Sequence, residues 1–297
     1  MIASITPLIA HPWADYALLD SGHSRKLERY GNIVVDRPEP QALWAPTLPQ
    51  SEWDKADARF TNTGDEDADA GKWRINTNTP ESWPVEWEGI KFICRLMSFR
   101  HMGLFPEQLT HWHWVNEKVA KANRPLNILN LFAYTGAASL AAAKAGASVT
   151  HLDASKKAIQ WAKDNQEASG LNDAPIRWIC DDAKAFVARE LRRGRKYDGI
   201  IMDPPKFGRG PDGERWQIEE DLVDFLKTCT ELLSDTPSFV ILTAYAMRLS
   251  SVSLGNLMQD ILKDRGGSIE YGELLIEQEN KQRFLSTSLY SRWAAKE

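Results

Sequence analysis

The stretch Asp203-Pro204-Pro205-Lys206-Phe207 closes an apolar run, Tyr197-Asp198-Gly199-Ile200-Ile201-Met202. An acid followed by two prolines makes a stiff turn at the carboxyl edge of a strand, where ligands of open α/β sheets bind. Neither proline brings an amide hydrogen, so Asp203 and the loop carbonyls remain free to accept hydrogen bonds from an incoming amine. Phe207 can stack on a flat ring. Asp203, Pro204, Pro205 and Phe207 are therefore the candidate catalytic residues. A proline-rich turn after a core strand is the plain alternative.

Two more acids stand in comparable places. Asp153 ends Val149-Thr150-His151-Leu152, and Asp182 follows the run 176–180. An acid about 20 residues past the first turn of a doubly wound sheet accepts both hydroxyls of a ribose, and one after the third strand can accept from an adenine amine. The first turn, Tyr134-Thr135-Gly136, carries one glycine followed by Ala137 and Ala138. A dinucleotide site uses three glycines so that backbone can reach a pyrophosphate. Ribose and adenine without phosphate describe S-adenosylmethionine. Each aspartate alone would serve equally as a helix cap; three of them in register with the strand order argue for a site.

The elements that must position these acids alternate. Strands are expected over 128–132, 149–152, 176–180, 197–202 and 239–243, separated by helices, one of them over 155–169 with Ser155 as its N-cap. Runs 269–276 and 284–293 follow each other without a helix and read as a closing antiparallel pair. The fold class is thus α/β, a Rossmann-like, mainly parallel seven-stranded sheet with helices on both faces. Before about residue 100 the texture differs. Gly31-Asn32-Ile33-Val34-Val35-Asp36-Arg37-Pro38 and Leu18-Leu19-Asp20-Ser21-Gly22 suggest short strands, and Trp83, Trp87, Ile90 and Phe92 an extended pattern. Residues 51–71, with Asp65-Glu66-Asp67-Ala68-Asp69, suggest a solvated acidic loop. We expect two domains, 1–100 small and β-rich, with its tryptophans in its core, and 101–297 the cofactor-binding sheet.

With 297 residues, 43% hydrophobic and 26% charged, the chain has the make-up of a soluble globular protein. Its formal net charge of -5 gives no general attraction to nucleic acid. Cys94, Cys180 and Cys229 cannot all pair and show no metal-ligand spacing. No signal peptide or window of ~20 apolar residues is present, so a cytoplasmic protein with no membrane and no metal is expected.

From about residue 103 onward the chain resembles the class I S-adenosylmethionine-dependent methyltransferases, most closely the bacterial large-subunit ribosomal RNA methyltransferases that act on cytosine. The pieces that match are Gly103-Leu104-Phe105-Pro106-Glu107-Gln108, Asn130-Leu131-Phe132-Ala133-Tyr134-Thr135-Gly136, Asp153, Asn165, Asp182-Ala183 and Asp203-Pro204-Pro205-Lys206-Phe207. The resemblance implies that Tyr134, Thr135 and Gly136 hold the methionine part of S-adenosylmethionine, that Asp153 and Asp182 hold ribose and adenine, and that Gln108 helps close the pocket. Phe132, Ala183 and Asp203 join the cofactor-binding set by their place in the same motifs. It also implies an enzyme of RNA methylation and rRNA processing.

The cytosine-modifying relatives activate ring carbon 5 with a cysteine after the fifth strand, since that carbon is a poor nucleophile. Here the stretch reads Thr243-Ala244-Tyr245-Ala246. Cys180 and Cys229 read as inert buried thiols. An exocyclic amine or ring nitrogen needs only orientation and a proton acceptor, which the Asp203 loop offers. Lys206, Arg209, Arg215 and Trp216 are the candidate substrate-binding residues, on a loop whose Gly208-Arg209-Gly210-Pro211-Asp212-Gly213 suits a lid. The same charges would serve solubility equally well. The function expected is methyl transfer from S-adenosylmethionine to a base in RNA; a small-molecule or protein methyltransferase, or a module that binds the cofactor without turnover, is the alternative.

Overall fold

The computed structural model describes residues 2–62, 70–245 and 248–296. In chain order the strands are β1 (Ile2–Ile5), β2 (Leu8–Ala10), β3 (Tyr16–Gly22), β4 (Arg25–Tyr30), β5 (Ile33–Pro38), β6 (Ala58–Asn62), β7 (Gly71–Ile75), β8 (Ser82–Trp87), β9 (Ile90–Arg95), β10 (Asn127–Leu131), β11 (Ser148–Asp153), β12 (Ile176–Cys180), β13 (Gly199–Met202), β14 (Phe207–Arg209), β15 (Arg215–Gln217), β16 (Phe239–Ala244), β17 (Ser268–Glu277) and β18 (Phe284–Ala294). The helices are α1 (Gln50–Trp53), α2 (Leu109–Lys121), α3 (Ala137–Lys144), α4 (Lys156–Ala168), α5 (Ala183–Arg192), α6 (Ile218–Glu231) and α7 (Ser251–Leu262).

The seven expected strands form one sheet in the order β17-β18-β16-β13-β10-β11-β12, parallel from β16 to β12 and closed by the antiparallel β17–β18 pair. Both faces of the central strands are covered, which is why those strands are apolar runs without alternation. Ile200, Met202, Val240 and Leu242 pack with side chains of α5, α6 and α7 on one face. Ile201, Phe239, Ile241 and Ile128 pack with α2 and α3 on the other. Helix α4 starts at Ser155 as its spacing predicts, the side chain accepting from the Ala158 amide.

The sheet also has two strands that no local pattern announced. β1 and β2 both run parallel to β17, so residues 2–10 lie at the edge of the large sheet. Strands β3 to β7 form a separate five-stranded sheet, and β8 pairs with β9. The two sheets are tied by Asp20, whose carboxylate accepts from the Leu48 amide at 2.8 Å and from Gln278 Nε2 at 3.0 Å, Gln278 lying just past β17. Trp53, Trp83 and Trp87 are buried core residues.

Three expectations change. Residues 51–71 are not one loop: α1 runs into them and β6 lies within them, β6 because Ala58 and Phe60 alternate inward. The acidic run Asp65 to Asp69 lies outside the described residues, as does Ala246. The glycine-rich lid is the turn of an antiparallel hairpin, β14–β15. Cys180 is exposed at the end of the edge strand β12, whereas Cys94 and Cys229 are buried. Among the described residues no helix is long and apolar enough to cross a membrane.

Candidate active site

A cavity of about 570 Å³ opens at the carboxyl ends of β10, β11 and β13. The turn between β10 and α3 forms one side. Phe132, Tyr134 and Gly136 all take positive φ, at 57°, 47° and 88°. Two of the three are not glycine, and left-handed backbone at such residues costs roughly 1 to 3 kcal/mol each, so the surroundings must enforce it. They do. The Tyr134 amide donates to Asp153 Oδ2 at 2.9 Å, and the Ser155 amide donates to Oδ1 at 2.8 Å. Burial raises the pKa of Asp153, and these two amides partly offset that. Thr135 Oγ1 donates to the Gly103 carbonyl at 2.6 Å, while Asn165 Nδ2 donates to the Thr135 carbonyl at 2.9 Å and Asn165 Oδ1 accepts from the Ile93 amide at 2.8 Å. Gly103 has φ 100° and lies so close to Trp161 that a Cβ would sit 2.3 Å from its ring.

Asp182 caps α5, Oδ1 accepting from the Ala185 amide at 2.8 Å, and with Ala183 it lines the cavity. Phe132 rests on Trp216 and Phe225, with ring centroids 4.9 and 5.7 Å away.

Asp203 is held differently. Gln108 Nε2 donates to Oδ2 at 3.0 Å, and Oδ1 is buried with no hydrogen-bond partner. Burial and the neighbouring Glu107 carboxyl push its pKa up to about 7. Burial also raises the pKa of Glu107, with Lys26 the first of the charges that oppose the rise. An acid near neutrality with an unpaired oxygen, on a residue that lines a cavity, can accept and release a proton at physiological pH.

The structure thus brings Gln108, Phe132, Tyr134, Thr135, Asp153, Asp182, Ala183, Asp203 and Pro205 around one cavity. Pro204 is buried behind the loop, and Gly136 lies beneath the turn, its open Cβ position 3.1 Å from Ala162 Cβ. Of the four residues expected to touch substrate, Arg209 and Trp216 line the cavity and Lys206 and Arg215 do not. Trp216 is buried, not presented for stacking: its indole N–H donates to the Pro205 carbonyl at 2.7 Å, so it braces the loop from below. Phe207 is 61% exposed, with Lys206 Nζ 5.6 Å from its ring centre.

Lys26, Arg37 and Glu39 of the N-terminal region, Phe99 and Phe105 of the following segment, and Thr287 and Ser288 of β18 also line the cavity. Sequence reasoning missed them. Phe105 and Glu107, which also lines the cavity, had a local signal, since both stand in the matched motif that ends at Gln108. Among the described residues no group of three or more His, Cys, Asp or Glu side chains is placed to hold a metal ion.

The family model for S-adenosylmethionine-dependent methyltransferases matches residues 53–246. A crystal structure of the S-adenosylmethionine-dependent methyltransferase from Agrobacterium tumefaciens superposes with a TM-score of 0.94 at 49% identity, covering 98% of this chain and 94% of that one. A putative methyltransferase from Streptococcus mutans, 17% identical with a TM-score of 0.70 over 95% of this chain and 75% of that one, shares the fold. Among curated proteins, the ribosomal RNA large subunit methyltransferase K/L of Shewanella frigidimarina is 37% identical over 152 residues, 50% of this chain and 20% of the relative. The ribosomal RNA large subunit methyltransferase I of Aeromonas salmonicida is 30% identical over 135 residues, 45% of this chain and 33% of the relative. The chain thus spans only a fifth to a third of the length of these two curated relatives.

Proposed function

This chain belongs to the S-adenosylmethionine-dependent methyltransferase family, and we propose that it moves the methyl group to a nitrogen of a base in RNA, large-subunit ribosomal RNA being the substrate its curated relatives suggest. The observation that carries the reading is the Asp203 carboxyl, with one oxygen fixed by Gln108 and the other buried and unpaired, in the same cavity as Asp153 and Asp182.

The residues fit the cofactor. Asp153 and Asp182 would hold ribose and adenine, and the turn of Tyr134, Thr135 and Gly136 the methionine part. When bound, the cofactor supplies a methyl already activated by its sulfonium. What remains for the protein is alignment and exclusion of water. In this reading Asp203 Oδ1 accepts the N–H of the acceptor, turns the nitrogen lone pair toward the methyl, and takes the proton that leaves. Pro204 and Pro205 stiffen the loop and Trp216 braces it. Phe207, Lys206, Arg209 and Arg215 on the hairpin would meet the rest of the RNA. A nitrogen is favoured over carbon 5 because no cysteine is among the described residues lining the cavity.

The same reading divides the chain near residue 100 into a β-rich unit that builds the acceptor wall and a sheet that holds the cofactor, with β1 and β2 joining the edge of that sheet. It places the enzyme in the cytoplasm.

The test is transfer of radiolabelled methyl from S-adenosylmethionine into RNA, protein and metabolite fractions of an extract lacking the gene, followed by nucleoside analysis. Label in a single nitrogen-methylated nucleoside is expected. Label only in protein or metabolites would overturn the RNA substrate, and label on carbon 5 the chemistry.

A further inference from the structure

Lys26, on β4, and Glu39, just past β5, lie in the small sheet, where side chains of opposite charge ordinarily face water. Here their side chains are 12% and 11% exposed, with Nζ and Oε2 3.3 Å apart, and both line the cavity. The neighbouring Arg37 is fully engaged. Its guanidinium pairs with Glu28 at 2.9 and 2.6 Å and donates to the Arg100 carbonyl at 2.9 Å, which makes it wall. The Lys26 ammonium has three hydrogens for its two carboxylate neighbours, Glu39 and, at 3.9 Å, Glu28.

The charges also say which end of the cavity the pair occupies. Glu107 adjoins Gln108, whose Nε2 holds Asp203 Oδ2 at 3.0 Å, and Lys26 is the first of the charges that bear on Glu107. The pair therefore stands on the Asp203 side, away from the acids proposed for ribose and adenine.

We infer that Lys26 and Glu39 form the recognition element for the methyl acceptor, and that they take a neutral, planar edge carrying a hydrogen-bond donor beside an acceptor, as a nucleobase presents. The inference rests on the methyl-transfer reading. A carboxylate and an ammonium side by side offer an acceptor next to a donor, so an edge of the opposite pattern makes two charge-assisted hydrogen bonds at once. An anionic acceptor would meet Asp203, Glu107 and Glu39 together at this end, where Lys26 is already paired with Glu39, and its burial there would be opposed. Phosphates of an RNA strand are thereby kept to the outside, where Arg209 and the hairpin are. Asp203 orients the reacting nitrogen, and Lys26 and Glu39 fix the remainder of the ring.

A purely structural ion pair is separable from this role by reversing it. Lys26→Met, Glu39→Gln and the double exchange Lys26→Glu with Glu39→Lys are compared with the wild-type enzyme on large-subunit ribosomal RNA from a strain lacking the gene. Thermal melting and binding of S-adenosylhomocysteine are measured on each. Each single variant should raise KM for RNA by about ten- to a hundredfold, as expected for a lost charge-assisted hydrogen bond, with a much smaller change in kcat and cofactor affinity within about twofold. The exchange should recover the melting temperature and not the KM. Recovery of both, or an unchanged KM in the single variants, would overturn the inference. If label goes to another fraction, the RNA reading fails, and the same variants on that acceptor decide: an anionic acceptor, or KM values that do not move, overturns the pair's role, while a raised KM on a neutral one supports it. No label in any fraction ends both readings.

Discussion

The two ends of the cavity are built by different means. At the Asp153 and Asp182 end every group comes from the carboxyl ends of neighbouring parallel strands, and each acid is anchored by backbone amides: Tyr134 and Ser155 for Asp153, Ala185 for Asp182. At the Asp203 end the groups come from separate parts of the chain, β4, the segment after β5, residues 107 and 108, and the loop after β13. They are held by side chains, with one carboxyl oxygen left unpaired. Backbone donors fix the turn and partly offset the effect of burial on Asp153, whereas a carboxyl held by one side chain, with its other oxygen unpaired, is poised to exchange a proton. The first end is made to hold and the second to react.

That contrast is broken most severely at Asp203. Asp203→Ala should lower turnover by about 10² to 10⁴, the range for losing a positioned acid–base group, while cofactor affinity by calorimetry stays within about twofold. Equal losses in both would place Asp203 with the holding residues and erase the distinction.

At the other end the order of effects should reverse. Asp153→Ala removes two charge-assisted bonds from backbone amides and the proposed ribose contact, so cofactor affinity should fall by roughly ten- to a hundredfold, with folding stability lower by ~1 to 3 kcal/mol. Calorimetry and denaturant unfolding check the two. Normal affinity with reduced stability would reduce Asp153 to a clasp for the turn.

These ends were also unequally legible. Asp153, Asp182 and Asp203 each close or follow an apolar run, so periodicity alone put them on one edge of a sheet. Lys26 and Glu39 look like ordinary surface residues of a small β-region; only the docking of that region on the sheet, through pairs such as Asp20 and Gln278, turns them inward. β1 finds its partner at Ser268 to Tyr271, a separation over which local pattern carries no information. Trp216, just past a glycine-rich loop, carries the local signal of a substrate-binding residue. The alternation of β15, exposed, buried, half-buried, sends it under Pro205 instead.

The reacting end can be sharpened by pH. Burial and Glu107 raise the Asp203 pKa to about 7, so kcat/KM should climb with pH up to that value, about tenfold per unit on the acid side. Glu107→Gln removes the like charge, which should move this limb to lower pH. The folded state retains a proton that the unfolded chain has already released above the ordinary carboxylate range, so stability from this group falls as pH rises from about 4 to about 7. Asp203→Asn should abolish that slope. A limb that Glu107→Gln does not shift would mean that the two acids are not coupled in the working enzyme.

The smallest effect should come from the cysteines, and it bears on which atom is methylated. Carbon 5 chemistry needs a thiolate next to the acceptor ring, whereas a nitrogen needs only a proton acceptor. Cys229 is enclosed among Phe225, Leu226 and Leu232 of the core, and burial raises its pKa well above the ordinary thiol value. Burial likewise pushes Cys94, on β9, up to about 12. Cys180 is exposed on the edge strand and bonds the Ala154 carbonyl at 3.5 Å, beside the end proposed for the cofactor and across the cavity from the proposed acceptor end. None is placed to attack a ring held by Asp203. Replacing all three with alanine should therefore change kcat by less than about threefold, with a loss of stability on the order of 1 kcal/mol from the two buried sites. Abolished turnover in a folded variant that still binds cofactor would reinstate a covalent thiol step and assign the reacting end to carbon.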